Sequence, residues 1–430
     1  MGNPAANQAL DSVPPLARPR LTLVLLLAVY AVNFMDRQIV AILSEPIKRE
    51  FGLSDAQIGL MYGLSFAIVY STVGIPIARW ADRANRARII NMSLVLFGAM
   101  TLACGAAASY AQLLAARIGV GIGEGGTNPP SHSLIADLYP AASRGTAMGI
   151  FALGPSTGIL LGFTFGGVVG QLWGWRTALI SAGVASLALA AVTSRLLQDP
   201  LRASQHAGAA QAPRASFAEC LRSIFRTPSI RHAFIGITLA SIAGYAAIGW
   251  LPAFLIRSHG LGTAAAGMTL AVLLGVLGGL GTFLGGFLAD RLSARNPAWR
   301  LRLVAVAALT ATPFWLATLL AGHPLAAIAC LAVPTATMGV FLAPTYSAVQ
   351  TLTEPSMRAT AAALLLLAGS LVGLGLGPVL VGWLSDVLRP AHGAESLRLA
   401  LLIIVPLYLW STTHYFVASR TLAADLAASR

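Results

Sequence analysis

Four charged side chains stand where this chain has least room for them. Asp36 and Arg37 are neighbours in the apolar run 21–44, and Arg117 and Glu124 lie in the apolar run 111–136. A charge at the centre of a hydrocarbon layer costs at least about 2.5–3.5 kcal/mol, so such groups are kept for a reason. Arg117 and Glu124 are seven residues apart. That is nearly two helical turns and about 10 Å of rise, so both look out from one face. Asp36 and Arg117 lie at similar depths in their runs and pair if those runs are neighbours. Glu124 then sits deeper, near the midplane. Two chemistries fit. One is a static ion network bracing two helices. The other is a proton site, because an apolar setting favours a protonated carboxyl and a nearby arginine an ionised one. In that reading Asp36 and Glu124 trade protons, while Arg117, which does not deprotonate, changes partners. Arg37 suits either an anionic head group or support of Asp36.

The rest of the composition points to a membrane. Of 430 residues, 57% are hydrophobic and 10% charged, against about 25% charged in soluble chains. This excludes a soluble enzyme, a disordered chain and a fibre. Apolar runs fall at 21–44, 56–79, 88–109, 111–136, 145–170 and 176–197. Six more fall at 232–256, 264–289, 302–321, 324–349, 359–385 and 398–418. Each is near the ~20 residues that cross a bilayer. The spacing predicts an all-α membrane protein of twelve transmembrane helices in two pseudo-symmetric six-helix bundles, 21–197 and 230–418. Tails at 1–20 and 419–430 and a linker at 198–229 complete the chain.

The net charge of +13 reads as loop charge rather than a nucleic-acid surface, for no long soluble basic segment carries it. With both termini in the cytoplasm, 20 basic residues fall on that side and six on the other, as the positive-inside rule requires. Of the 28 basic residues, 27 are Arg, which with the abundant Ala points to a GC-rich bacterial genome and so to a bacterial inner membrane. The polar, Pro-rich first twenty residues predict no cleavable leader. In the linker, Ser216 and Glu219 form a capping-box pattern. Phe217, Leu221, Ile224 and Phe225 follow on one face, predicting a short amphipathic helix on the membrane surface.

The two halves repeat one another. Asp82-Arg83-Ala-Asn-Arg86 follows the second run, and Asp290-Arg291 follows the eighth. Arg144 follows the fourth run, and Arg358, 214 residues later, follows the tenth. Such duplication places a site between two halves. Several motifs are rejected. Gly121-Ile-Gly123-Glu-Gly125-Gly126 matches a dinucleotide fingerprint in letters only, since it lies inside a helix with no strand before it. Neither the histidines nor Cys104, Cys220 and Cys330 have metal or disulfide spacing, so no cofactor is expected. ATP-driven pumping would need another protein.

The paired Asp-Arg loops resemble the major facilitator superfamily, and Gly154-Pro155-Ser-Thr-Gly158 resembles its antiporter motif. Within it, four segments resemble Spinster-type lipid transporters. They are Asn33-Phe34-Met-Asp36-Arg37, Asp82-Arg-Ala-Asn-Arg86, Arg117 through Glu124, and Ser133 through Pro140. An organic anion family also carries Asp-Arg in its first span. The resemblance implies a transporter, not an enzyme, that moves a lysophospholipid or a sphingosine-1-phosphate-like amphiphile at the expense of the proton gradient by alternating access, as a monomer among membrane lipids. A small organic anion carrier and a multidrug/proton antiporter are the alternatives. Expected cargo contacts are Asn33, Phe34, Arg37, Tyr62 and Asn128 in the first half, and Tyr245, Trp250, Phe254 and Tyr346 in the second. Phe283 and Gln350 are further cavity candidates. A charged half facing an apolar half suits a head and a tail. Asp82, Arg83, Arg86, Arg144, Asp290, Arg291 and Arg358 are implied to be a gating latch across the halves; ordinary turn chemistry is the other reading.

Overall fold

The computed structural model describes residues 18–81, 84–199, 217–354 and 357–428. These residues are helical almost throughout, because backbone inside a bilayer must satisfy its own polar groups. Among the described residues, nine continuous helical stretches are long and apolar enough to cross a membrane. Two of them, Ala142–Leu196 and Thr360–Ala428, hold two spans each, and one further span is interrupted midway, which makes twelve.

Span 1 is Pro19–Ile42, followed by a short helix, Ser44–Phe51. Span 2 runs from Asp55 to Ala81, with a wider π-helical stretch at Leu60–Leu64. Span 3 is Arg86–Ala106, started by the Asn85 side chain accepting from the Arg88 amide at 2.9 Å. Span 4 is Tyr110–Gly125 plus Asn128–Leu138. Ala141–Phe151 and the start of Gly154–Leu196 form span 5, and the rest of that helix forms span 6. The turn between them is at Gly174, whose φ of 84° a residue with a Cβ rarely adopts.

The second half repeats the pattern. Span 7 is Pro228–His259 and span 9 is Trp299–Leu320. Span 8, Thr263 to Ser293, has a π-helical stretch at Ala271–Leu277, and span 11, Arg358 to His392, has one at Ala368–Leu374. Span 10 is Pro324–Met338 plus Leu342–Leu352, broken where span 4 is broken. Span 12, Ser396–Ile404 and Pro406–Ala428, runs into the expected tail.

Span 5 lies along span 1, with Gly158 against Ala31, Gly162 against Met35 and Gly166 against Ile39. Span 6 runs back along span 3. The halves meet where span 2 packs on span 11 and span 5 on span 8. We call the end where span 1 starts the near end and the other the far end. The closest approach is at the far end. A Cβ on Gly59 would lie 2.4 Å from the Pro378 oxygen, and one on Gly382 2.3 Å from the Asp55 oxygen.

The linker helix is Phe217–Arg226; Ser216 lies outside the described residues. Its buried face is Cys220 and Ile224, packed with Met357, Ala361 and Tyr415 of the second half. Leu221 and Phe225 are exposed instead of sharing that face. Cys220, one turn before Ile224, acts as a small apolar residue and turns the stripe inward.

Candidate functional site

The charges of spans 1 and 4 form two separate ion pairs. Arg117 Nη1 donates to Asp36 Oδ2 at 2.5 Å, and Thr101 of span 3 donates to Asp36 Oδ1 at 3.0 Å. Arg37 reaches Glu124 rather than Asp36. Its Nε donates to Oε2 at 3.1 Å and its Nη2 donates to Oε1. All four residues are buried. Adjacent residues on a helix point about 100° apart, so Asp36 and Arg37 meet different partners. The Cα–Cβ bonds of span 1 lean toward its N-terminus, which sends the long Arg37 chain back toward the deeper Glu124. The break in span 4 at Gly126–Thr127 begins two residues after Glu124. There the Thr127 hydroxyl donates to the Glu124 carbonyl at 2.9 Å and accepts from Asn33 Nδ2 at 2.6 Å.

Phe66 of span 2, which the sequence reading passed over, touches both cations. Its ring centre is 4.5 Å from the Arg37 guanidinium and 5.7 Å from that of Arg117. Phe34 and Tyr70 complete the surroundings of Arg37. Thr101, Thr127 and Tyr70 also escaped notice, since hydroxyls and rings in apolar helices look like ordinary packing.

The other expected contacts divide. Asn128, Tyr245 and Tyr346 are only partly buried. Asn128 Oδ1 and the Tyr346 hydroxyl have no hydrogen-bond partner among the described residues. Tyr62, Trp250 and Phe254 are instead packed into the far end. Tyr62 lies on the Gly249 backbone, and Trp250 Nε1 donates to the Pro378 carbonyl at 2.9 Å. Phe254 is edge-on to His259 with ring centres 5.1 Å apart. Phe283 is corrected. It is 72% exposed, on an outward stripe with Leu280, Leu284 and Phe287, because span 8 must show the bilayer one apolar side. Gln350 is exposed toward the near end of span 10.

The far end carries a second charge cluster that joins the halves. Asp55, at the start of span 2, accepts from Arg257 Nη1 at 2.8 Å and Nη2 at 2.7 Å, from Ser385 Oγ at 2.7 Å, and from Lys48. Glu45 accepts from Arg257 Nε at 2.8 Å. Asp386 of span 11 caps span 2 of the other half, accepting from the Asp55 amide at 2.9 Å and the Ala56 amide at 2.7 Å. Burial, and then the nearby Arg257 charge, push the Lys48 ammonium below its usual value. Glu50, in the same short helix, is held below the usual carboxylate range by hydrogen bonds from Arg176 and Trp175. Among the described residues, the hydrogen bonds and ion pairs between the halves lie at this end.

At the near end, Asp82 and Arg83 lie outside the described residues. Arg86 is buried and works within its own half rather than across the interface. It donates to Asp199 at 2.9 and 2.7 Å, to Ser133 at 2.9 Å, and to Asp137. The reason is placement: the end of span 6 brings Asp199 to the start of span 3. Arg300 occupies the equivalent place in the second half and donates to Thr351 at 3.3 Å, where the first half has Asp137. Arg144 donates to the Tyr139 carbonyl at 3.3 Å, and Arg358 to the Thr353 carbonyl at 3.2 Å, the same local bond in both halves. Asp290 and Arg291 are exposed.

Comparison with known proteins agrees with this architecture. Residues 26–378 match the Major Facilitator Superfamily. The chain is 35% identical over 399 residues, 92% of its length and 91% of the relative's, to an "MFS-type efflux pump" of Mycolicibacterium smegmatis. It is 26% identical over 286 residues, 64% of its length and 62% of the relative's, to a "Probable L-galactonate transporter" of Escherichia coli. The crystal structure of a bacterial homologue of the human lysosomal transporter Spinster, inward-facing and unoccupied, superposes with a TM-score of 0.85 at 30% identity, over 96% of this chain and 99% of that one. The occupied form of that protein gives a TM-score of 0.83. Twelve spans in two repeating halves, charges held where they meet, and likeness along nearly the whole chain lead to one family: this chain belongs to the Major Facilitator Superfamily, as a Spinster-like, multi-pass membrane transporter and not an enzyme.

Proposed function

We propose that the protein is a proton-coupled secondary transporter that works by alternating access on a lysophospholipid or a sphingosine-1-phosphate-like amphiphile. The observation that carries this reading is the pair of buried carboxylates, each on its own arginine, in the half that meets a charge-poor partner. Protonating Glu124 frees the two-pronged Arg37 fork for an anionic head group. Binding of that group in turn favours the proton on Glu124. Asp36, held by Arg117 and Thr101, is the second proton carrier. Asn128 and Tyr346, whose polar atoms have no hydrogen-bond partner among the described residues, take the rest of the head group beside Tyr245.

The near end, with both termini, faces the cytoplasm of a bacterial inner membrane. The far-end cluster then closes the outside, and Arg144, Asp290, Arg291 and Arg358 belong to the gate that closes the inside in the other state. One chain holds the whole site, so a monomer suffices. A second reading, a small organic anion carrier, draws on the likeness to the galactonate transporter.

The test is lysophospholipid movement in proteoliposomes under an imposed pH gradient, with wild type beside Asp36→Asn and Glu124→Gln. Gradient-driven movement that both variants lose is the expected result. Intact wild type that moves sugar acids and no lysolipid would replace the cargo assignment with the second reading. Gradient dependence that survives both substitutions would end the proton assignment.

A further inference from the structure

Arg37 sits among three aromatic rings. Its guanidinium carbon is 4.5 Å from the centre of Phe66, 4.9 Å from Phe34 and 5.3 Å from Tyr70. All are within cation–π range, about 6 Å. Two spans build this box. Span 1 supplies Phe34 one turn before Arg37, and span 2 supplies Phe66 and Tyr70 one turn apart. Those two rings stack with centres 5.7 Å apart and planes 15° apart. Tyr30 meets Phe34 edge-on at 5.3 Å. Phe66 is 1% exposed.

An arginine that only braced Glu124 would need no such box. The carboxylate already matches its charge, and aliphatic side chains would pack as well. The rings matter in the state where Glu124 has taken a proton. Arg37 is then a cation without its anion in an apolar place, the situation a buried ion pair tolerates least. An aromatic face attracts the cation and carries no proton to lose, and its pull counts most once the Glu124 charge no longer holds the guanidinium.

The geometry points to Phe34, Phe66 and Tyr70 as positioning residues that hold Arg37 in place while Glu124 is protonated, with Phe66 the foremost. This rests on the proton role of Glu124 proposed above. The charged and titratable groups facing the pair are Asp36 and Arg117, bound to each other, and Tyr30, Tyr62, Tyr70 and Tyr245. Phenols keep their protons at neutral pH even in water, so Glu124 is the group bound to Arg37 whose charge the proposal changes.

Loss of the Phe66 face makes the protonated state less favourable, so Glu124 takes its proton at lower pH. The experiment is infrared titration of the full chain in lipid without cargo. The protonated carboxyl band is assigned by its loss in Glu124→Gln. Two variants are read against wild type: Phe66→Leu, and phenylalanine fluorinated around the ring at position 66, which keeps the shape and removes the negative face. Both are expected to move the Glu124 midpoint to lower pH by about one unit. A midpoint left in place by the fluorinated ring overturns the box, whatever Phe66→Leu does, for shape alone would then account for Phe66. Should wild type show no Glu124 band at any pH, the proton role falls and the box with it. A wild-type band that neither variant moves removes the box alone.

Discussion

At the scale of single residues, Asp36, Arg37, Arg117 and Glu124 were legible as a group, because charge in an apolar run is conspicuous. Their pairing was only half legible. Depth along the helices pointed Asp36 to Arg117, but which way Arg37 turns depends on the rotation of span 1 and the lean of its side chain, which letters do not carry. The two-pronged contact has a consequence. Arg37→Lys keeps the charge, yet loses the fork and the flat stacking surface. Initial transport rates in proteoliposomes are expected to fall about tenfold, equivalent to roughly 1.4 kcal/mol; an unchanged rate would mean that charge alone matters there. Glu50 offers a pH prediction outside the membrane. Its carboxyl is held low by Arg176 and Trp175. The stability it contributes is therefore present above the ordinary carboxylate value, about 4.3, and is lost as pH falls through the lower folded value. Melting temperatures measured across that acid range should show a step in wild type that Glu50→Gln lacks. Equal curves would mean that the surface pair contributes nothing.

At the scale of elements, twelve spans could be read from hydropathy, most of their ends to within a few residues, since the bilayer imposes both length and composition; the last span instead runs on to Ala428, ten residues past its expected end. The irregularities could not. The π-helical stretches in spans 2, 8 and 11, and the breaks in spans 4 and 10, depend on what packs against them. Three of the four spans along the interface of the halves carry such a wide turn, a form often found at working sites. The interface also depends on missing side chains. Gly382→Ala sets a methyl 2.3 Å from the Asp55 oxygen, an overpacking that costs about 1–3 kcal/mol. Gly149→Ala meets nothing within 4 Å. Thermal melts in detergent should show Gly382→Ala several degrees less stable and Gly149→Ala like wild type. If both behave alike, the halves do not touch as described.

For the whole molecule, the duplication was readable as spaced loop motifs, but the place where the halves hold each other was not. The near-end Asp-Arg loops stand out in the sequence, whereas Arg86 serves its own half and the joining bonds are at the far end. Glu45, Asp55, Arg257 and Asp386 come from loops and helix ends far apart in sequence, so nothing in their spacing announced a cluster. Their arrangement predicts a bias toward the far-end-closed state. Arg257→Ala and Asp386→Asn should each speed thiol labelling of a reporter at Ile58→Cys, a position now 3% exposed, by severalfold. Labelling as slow as in the unaltered background would show that the cluster decorates the closed end without holding it.

The balance of the inner charges bears on electricity. Two carboxylates and two guanidiniums leave the core with no net charge as it stands. An empty carrier that swings between states thus drags nothing through the field across the membrane. One proton makes the core a monovalent cation, and a potential of 100 mV then acts on it with up to about 2.3 kcal/mol. In the proposed cycle, voltage would act on the loaded stroke according to the sum of the proton and head-group charges, and the empty return would be electrically silent.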